Sequence, residues 1–398
     1  MSRAPEVWAL PELPGVLSPD EIAVSGLHLA RLQRWTGMVP WFEGGHCDPW
    51  NHVEAAMALS VCGLVREAEA AYEWLAGTQL ADGSWFNYYL GDRVKDPRID
   101  TNVCAYVATG VFHHFCVTGD VDLLVRHFPT VERALELVLR CQLPDGPITW
   151  SLDATGRAEG YALLTGSSSI FHALRCGVAA AEELGLNRPE WELAAGRLGH
   201  AVAHHPGAFA PKHEYAMDWY YPVLCGALDE AAANARLDSG IATYLLEGLG
   251  VRCVSTNDWV TAAETAECAI ALDALGRTDE ALTLLAQTAA HRNEDGSYVT
   301  GLVYPGRATF PGGETTSYTA AAVVLAADAL SSTTGGAGLW RGERLAEPLD
   351  LSAGRRQPPA PRPEPAPRAA GSPGPARRST PRQPVHETSV KPLLVATR

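Results

Sequence analysis

The chain has 398 residues, 46% of them hydrophobic and 19% charged, with a formal net charge of −15. This is a globular composition with enough length for one large core. It excludes a membrane-spanning chain, because the longest apolar stretch, 320–327, is too short to cross a bilayer. Residues 1–340 hold 20 Lys+Arg against 41 Asp+Glu, so the globular part does not attract nucleic-acid phosphates.

In chain order, Ser18-Pro19-Asp20-Glu21 is a capping box that opens a first helix with the apolar pattern Ile22, Leu27, Leu29, Leu32. Asp48-Pro49 opens a second helix that stops at Gly63, and a third covers 64–79. A fourth starts at Asp100 and ends before Gly119, and Asp120 caps a fifth that reaches Gln142. Further segments fall near 168–184, 189–204, 217–229, 230–248, 260–275, 278–292 and 315–330. Strand-like alternation is confined to pieces around 251–255 and 297–304. Twelve helices in short-looped pairs form six hairpins, and each hairpin needs a neighbour to cover its open face. The expected fold is all-α, an (α/α)6 toroid of six helical hairpins over residues 1–345.

Three short motifs recur after helices: Gln79 to Asp82-Gly83-Ser84-Trp85, Gln142 to Asp145-Gly146 with Trp150 following, and Arg292 to Asp295-Gly296-Ser297-Tyr298. Gly accepts a positive φ, Asp bonds its own backbone, and the aromatic is expected to pack back on the helix end. From 346 the pattern stops. Twelve prolines lie between 348 and 392, and 341–398 carry 11 Lys+Arg against 5 Asp+Glu. This segment, 346–398, reads as a disordered Pro/Arg-rich tail that could reach a membrane surface peripherally. The nine cysteines are scattered without a Cys-x-x-Cys pair, as expected of buried free thiols in a reducing compartment. With no apolar signal region at the N-terminus, the expected location is cytoplasmic.

Several polar residues fall where a toroid would aim them at its central cavity. His46, Asp48 and His52 lie within seven residues, with Trp50 among them. They have the donor set for a divalent ion, but Asp48 also reads as a helix cap, and they are assigned here as substrate-binding residues without a metal. Asp100 is a cap that could also accept a proton. His213, Glu214, Asp218, Trp219, Tyr220 and Tyr221 form the densest polar-aromatic patch, suited to stacking a sugar or holding an isoprenoid. Trp259 and Asp258 precede Glu264 and Glu267, and Glu159 and Glu314 each precede a helix start. Asp100, Glu159, Asp218, Glu264 and Glu314 are the candidate catalytic carboxylates. His46, Asp48, Trp50, His52, Trp85, His213, Trp219, Tyr220 and Trp259 are the candidate substrate contacts. No motif identifies a cofactor.

Two resemblances bear on function. The run Ala71-Tyr72-Glu73-Trp74-Leu75 with Gln79, Gly83, Ser84 and Trp85 resembles the Gln-Trp repeat of squalene and hopene cyclases. The stretch of about 15–345 looks like actinobacterial proteins labelled prenyltransferase, on the runs from Gly44 to Glu54, Leu164 to Ser169, Tyr215 to Pro222 and Val251 to Ser255. That resemblance implies a prenyltransferase or terpenoid-cyclase-like enzyme with an isoprenoid in the central cavity, and this is the leading expectation. No two aspartates are adjacent, so the Asp-rich motifs of those enzymes are absent. The runs Thr118-Gly119-Asp120 with Phe128-Pro129 and Gln142, and Trp259-Val260-Thr261 with 271–277, look like glucoamylase-type six-hairpin glycosidases. That resemblance implies the alternative, a glycan-processing enzyme with paired carboxylates and a saccharide substrate. A third possibility is a non-catalytic binding toroid.

Overall fold

The computed structural model describes residues 8–351 apart from Ala154, Glu159 and Asp350. Among these, the helices are α1 (Pro19–Leu32), α2 (Pro49–Val61), α3 (Val65–Thr78), α4 (Thr101–Ala105), α5 (Val107–Thr118), α6 (Val121–Arg140), α7 (Leu164–Glu183), α8 (Pro189–His204), α9 (Ala216–Leu224), α10 (Glu230–Tyr244), α11 (Ala262–Asp273), α12 (Thr278–Ala286) and α13 (Ser317–Ser331). Tyr106 separates α4 from α5, which together fill the place of one helix. The strands are very short: β1 (Tyr88–Leu90), β2 (Arg93–Asp96), β3 (Ile99–Asp100), β4 (Ser151–Leu152), β5 (Leu245–Leu246), β6 (Gly250–Val251), β7 (Trp259–Thr261), β8 (Gly301–Val303) and β9 (Ala308–Thr309).

The helices form two concentric rings. The inner ring runs α2, α4–α5, α7, α9, α11, α13, and α13 returns to pack on α2. The outer ring is α1, α3, α6, α8, α10 and α12, each packed on an inner neighbour. This is the expected (α/α)6 toroid. Inner helices are apolar on most sides because they are enclosed by both rings, and α2 buries nearly every residue from Asn51 to Val61. Outer helices keep a wet face; α6, for example, buries Leu123, Leu124, Phe128, Val131, Leu135 and Val138 on one side.

The recurring Gln and Gly residues fasten the outer ring. Gln79 Nε2 donates to Gly83 O (3.0 Å) within its own turn and to Thr130 O (2.9 Å) on α6. Gln142 does the same with Gly146 O and Ala194 O of α8, both at 2.9 Å. Gln33 repeats it with Gly37 O (2.9 Å) and Glu67 O (2.8 Å) of α3. The glycine lets the turn touch the next helix: a Cβ on Gly83, at φ +96°, would lie 2.2 Å from Arg133 O. Trp85 packs back as expected, fully buried, with Nε1 donating to Leu75 O at 2.9 Å. The second turn departs from this. Ile148 pairs with Gln142 there, and Trp150 is released to another task.

The two ends of the barrel differ. All six outer-to-inner connections meet at the end where the inner helices begin, and they carry every short strand. The other end is crossed by residues 332–345. Trp340 stacks on His172 of α7 (5.9 Å, 9°), and Arg341 pairs with Asp273 at 2.7 Å. Asp328 accepts from Thr334 N (2.9 Å) and Oγ1 (2.6 Å), which pins the start of this segment. The compact unit reaches Leu351. The rest of the tail expected to be disordered, 352–398, lies outside the described residues. No helix among the described residues is long and apolar enough to cross a membrane.

Gly83→Ala should lower the stability of the folded domain by about 3 kcal/mol, because the new Cβ combines a forbidden φ with a clash on backbone. Urea unfolding followed by circular dichroism checks this; Gly77→Ala on α3, where a Cβ meets nothing within 4 Å, is the matched control and should be neutral or stabilising.

Candidate active site

The open end gathers the first turns of the inner helices, where unsatisfied backbone N–H groups favour acidic side chains. Asp48 is the N-cap of α2. Its Oδ1 accepts from Asn51 N at 2.9 Å, and its Oδ2 accepts from Trp41 Nε1 and Asn51 Nδ2, both at 2.6 Å. Asp100 caps α4: Oδ1 accepts from Asn102 N (2.9 Å) and Val103 N (3.2 Å), and Oδ2 from Trp150 Nε1 (2.7 Å). This is the task for which Trp150 leaves its helix end. Burial raises both carboxyls, Asp100 to about 6, and the charge of Asp48 adds to the rise at Asp100. Tyr88, on β1, lies in the field of both and is itself raised by burial.

Glu264 lies in the first turn of α11 and is 3% exposed. Its hydrogen-bonding neighbour is the Cys253 thiol. Tyr318, in the first turn of α13, lies in the field of Glu264 and Glu314. Its ring meets Trp41 edge-on at 5.1 Å, and Trp41 is the residue that bonds Asp48. Asp48, Trp41, Tyr318 and Glu264 therefore follow one another around one side of the mouth. Asp218, on α9, accepts from Thr165 Oγ1 (2.6 Å) and N (3.3 Å) at the start of α7. Glu314 is half-buried, and burial raises its carboxyl. Glu159 lies outside the described residues.

The expected substrate contacts divide. His46 stays at the mouth against Trp41 (4.4 Å) and Tyr88 (4.9 Å), held neutral with a pKa of about 4 by burial and then by Lys95. Trp50 stacks on Tyr106 at 4.5 Å, and its Nε1 has no hydrogen-bond partner among the described residues. Trp259 lies on β7 against Phe310. His213 is exposed, and its carbonyl accepts from Tyr244 Oη. Three others turn away from the opening. His52 is wholly buried, accepting from Val39 N at Nδ1 (3.0 Å) and bonding Ala71 O of α3 through Nε2 (2.9 Å). Trp85 is in the core. Trp219 points outward, stacked on Tyr244 (5.2 Å, 15°) and donating to Arg236 O at 2.8 Å. Among the described residues no group of three or more His, Cys, Asp and Glu is placed to hold a metal ion.

Below the mouth the barrel is filled. Tyr220 and Tyr221 both donate to Glu267, Tyr221 at 2.9 Å, and Tyr106 donates to Glu54. Burial raises Glu54 to about 7 and holds Glu267 well above the usual carboxylate range, the charge of Glu54 adding to the latter. The space that Glu54, Tyr106, Tyr221 and Glu267 line with His172, Cys225, Leu325 and Trp340 is about 10 Å³, room for a single water. Tyr220, expected to touch substrate, belongs to this floor. Sequence reasoning missed Trp41 and Tyr88 as site residues and named Trp150 only as a packing aromatic. Their only signal was a position in the connections that lead into inner helices.

No protein-family model matches the chain. It is 48% identical over 342 residues to the MMP endo-(1,4)-3-O-methyl-alpha-D-mannosidase of Mycolicibacterium hassiacum, covering 86% of this chain and 95% of that one. The chain belongs to the family of that enzyme. Solved structures agree on the fold. A glycosidase variant in complex with glucose superposes with a TM-score of 0.63 at 16% identity, covering 80% of this chain and all of that one. The GH63 mannosylglycerate hydrolase of Thermus thermophilus superposes with a TM-score of 0.61 at 12% identity, covering 76% and 99%. These findings overturn the prenyltransferase and terpenoid-cyclase expectation and the isoprenoid substrate that came with it. The physical reason is visible in the barrel. An isoprenoid needs a deep apolar cavity, and this barrel has an acidic mouth over a packed floor. The six-hairpin glycosidase resemblance is the one the family supports.

His52 gives a pH prediction. Burial lowers its pKa to about 4, so the unfolded chain takes up a proton below about 6.5 that the folded chain refuses. The stability from neutral His52 is therefore present at pH 7 and is lost as pH falls. Between pH 7 and 5 this one residue should remove about 2 kcal/mol. In His52→Gln that part of the acid loss should vanish, so its unfolding free energy should fall less than the parent's over the same interval.

Proposed function

We propose that the chain is an endo-acting glycoside hydrolase that cleaves the 1,4 linkage between 3-O-methyl-α-mannose units, with Glu264 and Asp48 as its paired carboxylates. The observation that carries this reading is the arrangement at the open end: two buried acids flank one aromatic wall, Trp41 and Tyr318, in a chain nearly half identical to an endo-mannosidase. Glycosidases place two carboxyl groups on either side of the scissile bond.

The surroundings divide the roles. Asp48 has a raised pKa, the state suited to giving a proton to the glycosidic oxygen as its bond to C1 breaks. Burial is what raises Asp48; the Asp48 charge acts in turn on Asp100 and raises that carboxyl. Trp41 and Asn51 fix the direction of the Asp48 carboxyl. Glu264 has no N–H donor on its carboxylate among the described residues and can take a proton from the water that attacks C1. The proton given by Asp48 leaves on the released sugar hydroxyl, and the one taken by Glu264 returns to solvent. Asp218 and Glu314 offer carboxylate oxygens to sugar hydroxyls, and Trp50, His46, Tyr88 and Trp259 supply ring faces and edges.

Glu264→Gln and Asp48→Asn should each lower kcat on 4-linked 3-O-methylmannose oligosaccharides by about 10²–10⁴-fold with little change in thermal stability. Asp100→Asn should retain more activity than either, because Asp100 caps α4 and bonds Trp150 and is not one of the pair placed on the scissile bond. Steady-state assays of released reducing ends across pH 4–9 check these. Full activity in Glu264→Gln would remove it from the reaction.

A further inference from the structure

The connection from α12 to α13 carries an aromatic ring that the fold holds out to solvent. Phe310 is 45% exposed, although its backbone and ring are both fixed. Its N–H donates to Gly301 O at 3.0 Å, and its carbonyl accepts from Trp259 Nε1 at 3.1 Å. The Trp259 ring meets it edge-on at 5.2 Å and 88°. Gly301 makes this possible: a Cβ there would lie 2.2 Å from Trp259 Nε1. Gly301 is paired with Thr261, the residue that leads into α11, three positions before Glu264. On the far side of Phe310, Pro311 O accepts from Glu314 N at 2.7 Å, and the chain runs on into α13. Phe310 is thus on the rim between the two helices whose first turns hold Glu264 and Tyr318.

A rigid aromatic face left in water is preorganised to stack, since it loses little freedom when it is covered. Sugars stack through their C–H faces. An O-methyl group strengthens that contact, because it replaces a hydrated hydroxyl proton with apolar surface. We propose that Phe310, propped by Trp259, is a specificity-determining residue of a subsite outside the catalytic pair, receiving a 3-O-methylated hexose of the glycan as it leaves the mouth. The proposal rests on the glycosidase reading above and adds the means by which methylated chains are preferred to plain ones.

The test compares the parent chain, Phe310→Ala and Phe310→Trp on 4-linked 3-O-methylmannose oligosaccharides and on unmethylated 4-linked mannose oligosaccharides of equal length. Calorimetric binding of the methylated set to Glu264→Gln, with and without Phe310→Ala, runs beside it. Phe310→Ala should lower kcat/KM on methylated chains about tenfold, mainly through KM, and change the unmethylated value much less. Phe310→Trp should stay near the parent. An unchanged KM in Phe310→Ala, or an equal loss on both substrates, would overturn the proposal while leaving the hydrolase reading intact. Absence of both hydrolysis by the parent and binding by Glu264→Gln would overturn the two together.

Discussion

Return of α13 onto α2 is the constraint from which the rest follows. It closes the inner ring, in which the alternation of outer and inner helices makes all six inner helices run the same way and begin at one end. Unpaired backbone N–H groups and the positive ends of the helix dipoles then collect around a single opening. Acidic residues that would be costly anywhere else in the barrel become tolerable there. Ser317 secures the seam, with N–H to Trp41 O at 2.6 Å and Oγ to Pro40 O at 2.9 Å. The same seam places Trp41, and through it Asp48, beside Tyr318 and Glu264.

The filled interior decides what can enter. Trp340 and the segment around it close one end, and the Glu54 and Glu267 groups with their tyrosines occupy the middle. Two carboxyls so deep are sustained by hydrogen bonds and by holding their protons. The space beside these groups, among the described residues, has room for about one water.

The helices were legible because their signals are local. Ser18 with Glu21, Asp48, Asp100 and Asp120 cap helices as their residue types predict. Site geometry was legible only in part, because its partners come from distant segments: Trp41 with Asp48 across the α2 cap, Trp150 with Asp100 across fifty residues. Asp48 and His52 are four residues apart yet do not share a face, for a definite reason. Asp48 is a cap in extended conformation, φ −116° and ψ 154°, so it is off the helical grid that places His52 against α3. Trp219 and Tyr220 are neighbours in sequence but about 100° apart around α9. One turns out to α10, where Gly240 makes room for its indole, and the other turns in to Glu267. The prenyltransferase reading took its chemistry from the toroid, a fold that enzymes of different chemistry share.

The most direct test of the account is a crystal structure of Glu264→Gln bound to a 4-linked 3-O-methylmannose tetrasaccharide. The sugar chain should lie across the end where the inner helices begin, with a glycosidic oxygen within hydrogen-bond reach of the Asp48 carboxyl and C1 of the same link facing residue 264. A tetrasaccharide seated away from the inner-helix starts, or one whose glycosidic oxygens all lie out of reach of Asp48, would contradict it.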